Sequence, residues 1–155
     1  MIKDIFAKIR AHMLEGMVFH DEMMRYYDFL GLEEERDEHL EHYMEESDGY
    51  QALSRYFVNH YNMLIPQEKM KRPDVIPESW YRYTRQEVDA STRQTARHDA
   101  YRRWVEWERN TKDFYQEQYQ ELASMGEIAA AHFLLHFILA VDDELKCAEK
   151  KLLVK

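Results

Sequence analysis

Apolar residues recur every three to four positions along most of this chain. That is the period of an α-helix, not of a strand. The pattern divides into four long stretches, at about 2–30, 33–64, 91–125 and 127–152. Gly31 and Gly126 stand where the first and third stretches end, as helix-terminating glycines do. Glu33, Glu34 and Glu35 open the second stretch, where the positive end of a helix dipole favours acids. Ser91 is the expected cap of the third, with Gln94 completing a capping box. Links between the first and second and between the third and fourth stretches are short, so each pair is predicted to be an antiparallel hairpin. The segment 65–90 is aperiodic, holds all three prolines, and is long enough to run the length of a bundle. Part of it, around 78–85, could form a short extra helix. The predicted fold is therefore all-α, one domain over residues 1–155, with two helical hairpins joined by one long crossover.

Placing residues at about 100° intervals shows which polar side chains fall inside each apolar stripe. On the first helix the stripe is Ile2, Ile5/Phe6, Ile9, Met13, Met17, His20, Met23/Met24, Tyr27 and Leu30, with His20 on its centre line. On the second it is Tyr43, Tyr50, Leu53, Phe57, Tyr61 and Leu64. His39 and Glu46 extend it at heptad spacing, and His42 borders it. On the third, Trp104, Glu108, Thr111, Tyr115, Gln118 and Leu122 share a face. On the fourth, Leu134, Phe137/Ile138, Val141, Leu145, Ala148 and Leu152 do so, with Glu144 at the edge and His132 and His136 near the opposite side. Buried carboxylates repel one another and are costly to desolvate. Bound Fe or Mn would resolve the conflict, because carboxylate and imidazole are ligands these metals accept. His20, His39, His42, Glu46, Glu108 and Glu144 are thus the candidate metal ligands.

Composition narrows the function classes. With 30 acids against 21 bases, the chain carries a formal net charge of −9. This argues against direct nucleic-acid binding, since phosphate contacts need a basic surface. Four glycines and three prolines are too few for the turns of an all-β fold. The one cysteine, Cys147, permits no intrachain disulfide and no paired-cysteine metal site. That fits a cytoplasmic location. No apolar run is long enough for a membrane span, and the amphipathic N-terminus lacks the apolar core of a signal peptide. There is no phosphate-binding glycine loop and no serine on a nucleophile elbow.

Three segments carry a family resemblance. Glu108-Arg109-Asn110-Thr111 is similar to the start of the ferritin third-helix site. His42-Tyr43-Met44-Glu45-Glu46-Ser47 resembles the second-helix stretch ending in a metal-binding Glu-Ser. Val141-Asp142-Asp143-Glu144-Leu145-Lys146 resembles the fourth-helix stretch bearing the family's Glu or Gln. The chain in this way resembles the ferritin-like superfamily over its four helices. The resemblance implies a four-helix bundle with transition metal in its core, handling O2, peroxide or the metal itself. It departs from the family at three points. Gly49 stands three residues after Glu46 where the family has His, and Cys147 stands three after Glu144. The inward polar residue of the first helix is His20, where the family has Glu. A mononuclear site, a site rearranged around His20 with His39 or His42, and no metal at all stay open at this point.

Each candidate also has a structural reading. His20 suits a hydrogen-bonded core histidine. Glu46 and Glu108 could pair with an arginine or a buried tyrosine. His39 and His42 could lie on a solvated helix start. His132 and His136 could line an oligomer contact, the acidic run 33–46 a solvated face, and Trp80-Tyr81-Arg82-Tyr83 the glue between crossover and bundle. A second function class fits the same fold: a non-catalytic acidic helical protein, of the kind found in phage and mobile elements. It would bind a basic protein partner, in the extreme as a nucleic-acid mimic. Homo-oligomerisation fits either class. Under the metal reading, Tyr43, Tyr50 or Tyr115 would be near enough to act as electron donors.

Overall fold

Backbone hydrogen bonds mark where each helix stops. The computed structural model describes residues 1–154. Helix α1, Ile2–Leu30, ends at Gly31 (φ 75°), where the amides of Gly31 and Leu32 bond back to Asp28 and Tyr27. A left-handed residue here closes the last turn's carbonyls, and glycine adopts it without a Cβ penalty. Gly126 (φ 80°) ends α3, Ala90–Ser124, in the same way. Helix α4 is Ile128–Leu153.

Two boundaries differ from expectation. Helix α2, Glu33–Tyr61, stops before position 64, because Asn62 takes the left-handed conformation (φ 52°) that asparagine tolerates. Leu64 therefore lies outside the helix and is exposed. The cap of α3 is Asp89, not Ser91: its carboxylate accepts the Thr92 amide at 2.7 Å. A carboxylate at the positive helix end gains from the dipole as well as the bond. The crossover spans 62–89 and contains two 3₁₀ turns, Glu78–Arg82 and Arg85–Glu87, in place of a short α-helix.

Contacts at the helix ends fix the directions. Phe6 packs on Phe57 with ring centroids 4.9 Å apart, and Tyr61 Oη donates to Glu127 at 2.9 Å. At the other end, Arg93 Nε donates to the Leu30 carbonyl at 2.7 Å and Lys151 pairs with Glu38 at 2.7 Å. So α1 and α4 run one way, α2 and α3 the other. Parallel α2 and α3 require the crossover to travel the bundle's length, about 43 Å for a 29-residue helix. It follows α1: the Lys71 amide donates to Glu15, Arg72 pairs with Glu22, and Trp80 Nε1 donates to Tyr26 Oη at 3.1 Å. Trp80 glues the crossover down, whereas Tyr81 and Tyr83 are exposed.

Two apolar clusters fill the interior. One, near the α1–α2 link, gathers Met23, Tyr27, Leu30, Ala100, Trp104 and Ala148. The other, near the opposite end, gathers Phe6, Met13, Leu53, Phe57, Leu122 and Leu134. Between them the stripes of all four helices turn polar at the same height. The acidic run 33–46 is also less solvated than its composition suggests. Glu35 is buried and paired with Arg97, and it accepts the Tyr101 hydroxyl at 3.1 Å. Burial without the Arg97 partner would be costly for a carboxylate, so part of the charge surplus is neutralised inside the fold. Among the described residues no helix is long and apolar enough to cross a membrane.

Candidate metal centre

Helical spacing alone delivers the polar layer. On α1, Met13, Gly16, His20, Met23 and Tyr27 follow at intervals of three or four, placing His20 between the two apolar clusters. On α2 the inward line is Glu35, His39, His42, Glu46, Gly49, Leu53 and Phe57, again at threes and fours. Tyr50, expected on the stripe, packs half-buried against the second apolar cluster, and Tyr43 is half-buried as well. On α3 the expected stripe holds throughout, from Trp104 through Glu108 to Leu122. On α4, Glu144 sits between buried Val141 and Leu145. His132 and His136 are exposed, away from the layer.

His20, His39 and Glu108 are at most 1% exposed. His20 Nδ1 lies 2.9 Å from His39 Nδ1, and its other nitrogen lies 3.7 Å from Glu108 Oε1. Trp104 Nε1 donates to Glu108 Oε1 at 3.3 Å, a long bond. His42 Nδ1 comes within 3.3 Å of Glu144 Oε1 without hydrogen-bond alignment. The rings of His39 and His42 both pack on Trp104, at 4.7 and 5.3 Å between centroids. No arginine or lysine neutralises Glu108 among the described residues, and no tyrosine bonds to it. The pairing expected of a structural carboxylate is absent there.

Electrostatics follow from this crowding. Burial first, then repulsion from Glu144 and Glu46, holds the Glu108 carboxyl well above its ordinary range. Burial and the Glu144 carboxylate push Glu46 up to about 8. His20 is held well below its usual value by burial and by His39 and His42, and His39 by burial and His42. For His42, burial opposes the charge, but the contact with Glu144 outweighs it and its pKa rises. The layer thus holds two neutral imidazoles, His20 and His39, beside two carboxyls that resist ionising, Glu46 and Glu108, while His42 leans toward its charged form against Glu144.

Six buried polar atoms here have no hydrogen-bond partner: His20 Nε2, His39 Nε2, both nitrogens of His42, Glu108 Oε2 and Glu144 Oε2. Buried polar atoms are nearly always satisfied, so such a concentration calls for an explanation. Ligand atoms of His20, Glu108 and Glu144 lie within 4.8 Å of one another, and so do those of His42, Glu45 and Glu144. Glu144 belongs to both sets. The donor sets fit a divalent first-row metal. With His20 Nε2 left free to ligate, its Nδ1–H must donate to His39 Nδ1. His39 then orients His20, a role outer-shell partners commonly have at metal sites.

Two residues of the centre were not singled out by the sequence pattern. Glu45 points to the outer set from the helix edge; its signal is the i, i+3 spacing from His42. Gly16 lies opposite Glu46, where a Cβ would come within 3.1 Å of the Glu46 carboxyl carbon. Glycine there makes the room that Glu46 occupies. His12 is a further buried histidine, stacked on Trp107 and Phe114 and bonded to Thr111 Oγ1 at 2.9 Å. Burial lowers its pKa to about 4, and its role is packing. No model of a known protein family, no curated protein and no solved structure matches the chain.

Proposed function

We propose that this protein is a ferritin-like bundle that binds one or two divalent transition-metal ions, Fe or Mn, in its polar layer. The single observation that carries this reading is the convergence of unpartnered, buried ligand atoms into two sets that share Glu144. His20 and Glu108 would hold an inner ion, His42 and Glu45 an outer one, and Glu144 both. A redox metal so held would supply chemistry toward O2 or peroxide. The chain's own residues perform the rest. His39 fixes the His20 ring, Trp104 fixes Glu108, and the apolar clusters above and below exclude water. Among the three tyrosines considered as electron donors, Tyr115 is the buried one, close enough for Glu46, Glu108 and Glu144 to raise its pKa beyond the effect of burial. Glu46 is a reserve carboxylate beside the outer set.

The test is melting of the metal-free protein with and without Mn²⁺ across pH. An acid whose pKa is raised by folding weakens the fold, and the weakening sets in above its unfolded value. For Glu46 the window runs from 4.5 to about 8. Lowered histidine values oppose this below 6.5, where the unfolded chain gains protons that His20 and His39 refuse. From pH 6.5 to 8 the carboxyls therefore dominate. The metal-free protein is expected to lose about 1 kcal/mol per pH unit for each such carboxyl. Mn²⁺ at about 100 times its dissociation constant should restore about 2.7 kcal/mol, a rise of roughly 5–10 °C in Tm, larger at pH 8 than at pH 6. No metal-dependent shift at either pH sinks the reading.

A further inference from the structure

The polar layer has an opening on one side of the bundle. A cavity of about 60 Å³ lies between α2 and α4, lined by Glu45, Glu46, Gly49, Tyr115, Phe137 and Glu144. Two waters need about this much space in liquid. Its outer rim includes Glu45, whose side chain is 65% exposed, and the small exposed Ala140. Its inner wall is buried Tyr115 together with Glu144, whose ligand atom lies within 4.8 Å of those of His20 and Glu108. The cavity thus connects solvent to the shared ligand of both sets. Three of its lining residues are acids and none is basic. Carboxyl oxygens along its wall favour a cation over an anion.

Gly49 shapes this mouth. It stands one turn beyond Glu46, and a Cβ there would lie 2.9 Å from Phe137 Cε1. Glycine lets the Phe137 ring lie flush across the α2–α4 seam. That ring is only half-buried. It meets Phe133 edge-on at 5.3 Å, tilts toward Tyr115 at 6.3 Å and packs against the second apolar cluster, with part of the ring left exposed. A bulky apolar ring in the wall of a small acid-lined cavity narrows the path left for a hydrated cation.

We infer that the α2–α4 seam is the route by which small divalent cations reach the polar layer, with Phe137, seated on Gly49, as its gate. The inference rests on the metal-binding reading and adds the path and its control. Phe137 lies outside both ligand sets, so changing it leaves the ligands in place.

The experiment is stopped-flow uptake of Co²⁺ by the metal-free full chain, followed by the visible absorption of the bound ion. Equilibrium affinity is measured in parallel. Phe137→Ala is expected to raise both the uptake rate and the release rate by about tenfold, with affinity changed less than about twofold. Phe137→Leu, which preserves more of the packing, should give an intermediate rate. Ala140→Lys puts an ammonium on an exposed rim position one helical turn from Glu144, and its affinity is read beside its rates to separate a field effect from pairing with that ligand. It should slow uptake several-fold at low salt and recover toward the wild-type rate at about 0.5 M salt, as screening shortens the field's reach. Equal uptake rates in all four proteins would overturn the gate while leaving metal binding intact. Altered affinity at an unchanged uptake rate would overturn it too, since the residues would then act on the site itself. No Co²⁺ bound by the wild-type chain at equilibrium would overturn the gate and the metal reading together.

Discussion

Glu144→Ala is expected to abolish metal binding altogether, whereas loss of either histidine partner removes only part of it. Glu144 is the carboxylate common to both ligand sets. Removing it leaves His20 with Glu108 on one side and His42 with Glu45 on the other, two donors each, below what a first-row divalent ion needs from protein in a stable site. Isothermal titration should give up to two Mn²⁺ per wild-type chain. His42→Ala should retain the inner ion alone, and His20→Ala the outer ion alone. Glu144→Ala should fall below detection, a loss of more than about 100-fold in affinity. The metal-free Glu144→Ala protein should still fold, because the change relieves repulsion on Glu108 and Glu46. Asp143→Ala, one residue away and exposed, is the control that should leave the titration unchanged.

Glu108→Leu should make the metal-free protein more stable and the metal-loaded protein less so. Glu108 is buried, lacks a cationic partner, and leaves one oxygen unbonded. Replacing a buried, unpaired ionisable group by an apolar one of similar size gains roughly 1–4 kcal/mol. Trp104 Nε1 loses its acceptor in the exchange, which takes back about 1 kcal/mol. The net expectation is a gain of up to about 3 kcal/mol, at roughly 2–4 °C in Tm for each, growing from pH 6.5 to 8. The same variant should show no Mn²⁺-dependent shift from the inner set. Were Glu108 a structural carboxylate, the substitution would lower Tm in metal-free protein at every pH. Thermal melts of both proteins with and without Mn²⁺ separate the two outcomes by sign.

Much of this was legible in the residues. The helical period, the two helix-ending glycines and the proline-bearing gap read at 65–90 were enough to give four helices and a long crossover. The inward stripe of α3 was readable because Trp104, Thr111, Tyr115 and Leu122 bracket Glu108 at threes and fours. The stripe of α2 was harder. Its aromatic residues Tyr43 and Tyr50 are half-buried, and the inward line between and before them is polar over two full turns. A polar core line is indistinguishable from a solvated face until its neighbours are known. That also hid the burial of Glu35, whose partner Arg97 lies 62 residues away on another helix. Pairing across such a separation leaves no local mark. The ligand sets divided the same way. His20 and Glu108 came from stripe positions and Glu144 from a stripe edge, whereas Glu45 entered only because Glu144 of α4 meets that edge of α2. Gly16 and Gly49 carry no side chain to periodicity arguments, yet one makes room for Glu46 and the other for the Phe137 ring.

The central claim is that the layer between the two apolar clusters is a metal centre. The most direct measurement is a crystal structure of the protein soaked with Mn²⁺ at pH 8, with anomalous differences collected at the manganese edge. The account predicts a peak bounded by His20 Nε2, Glu108 and Glu144, and a second, where the outer set fills, bounded by His42, Glu45 and Glu144. A map with no peak in the layer, or with manganese only at the exposed pair His132 and His136, would contradict it.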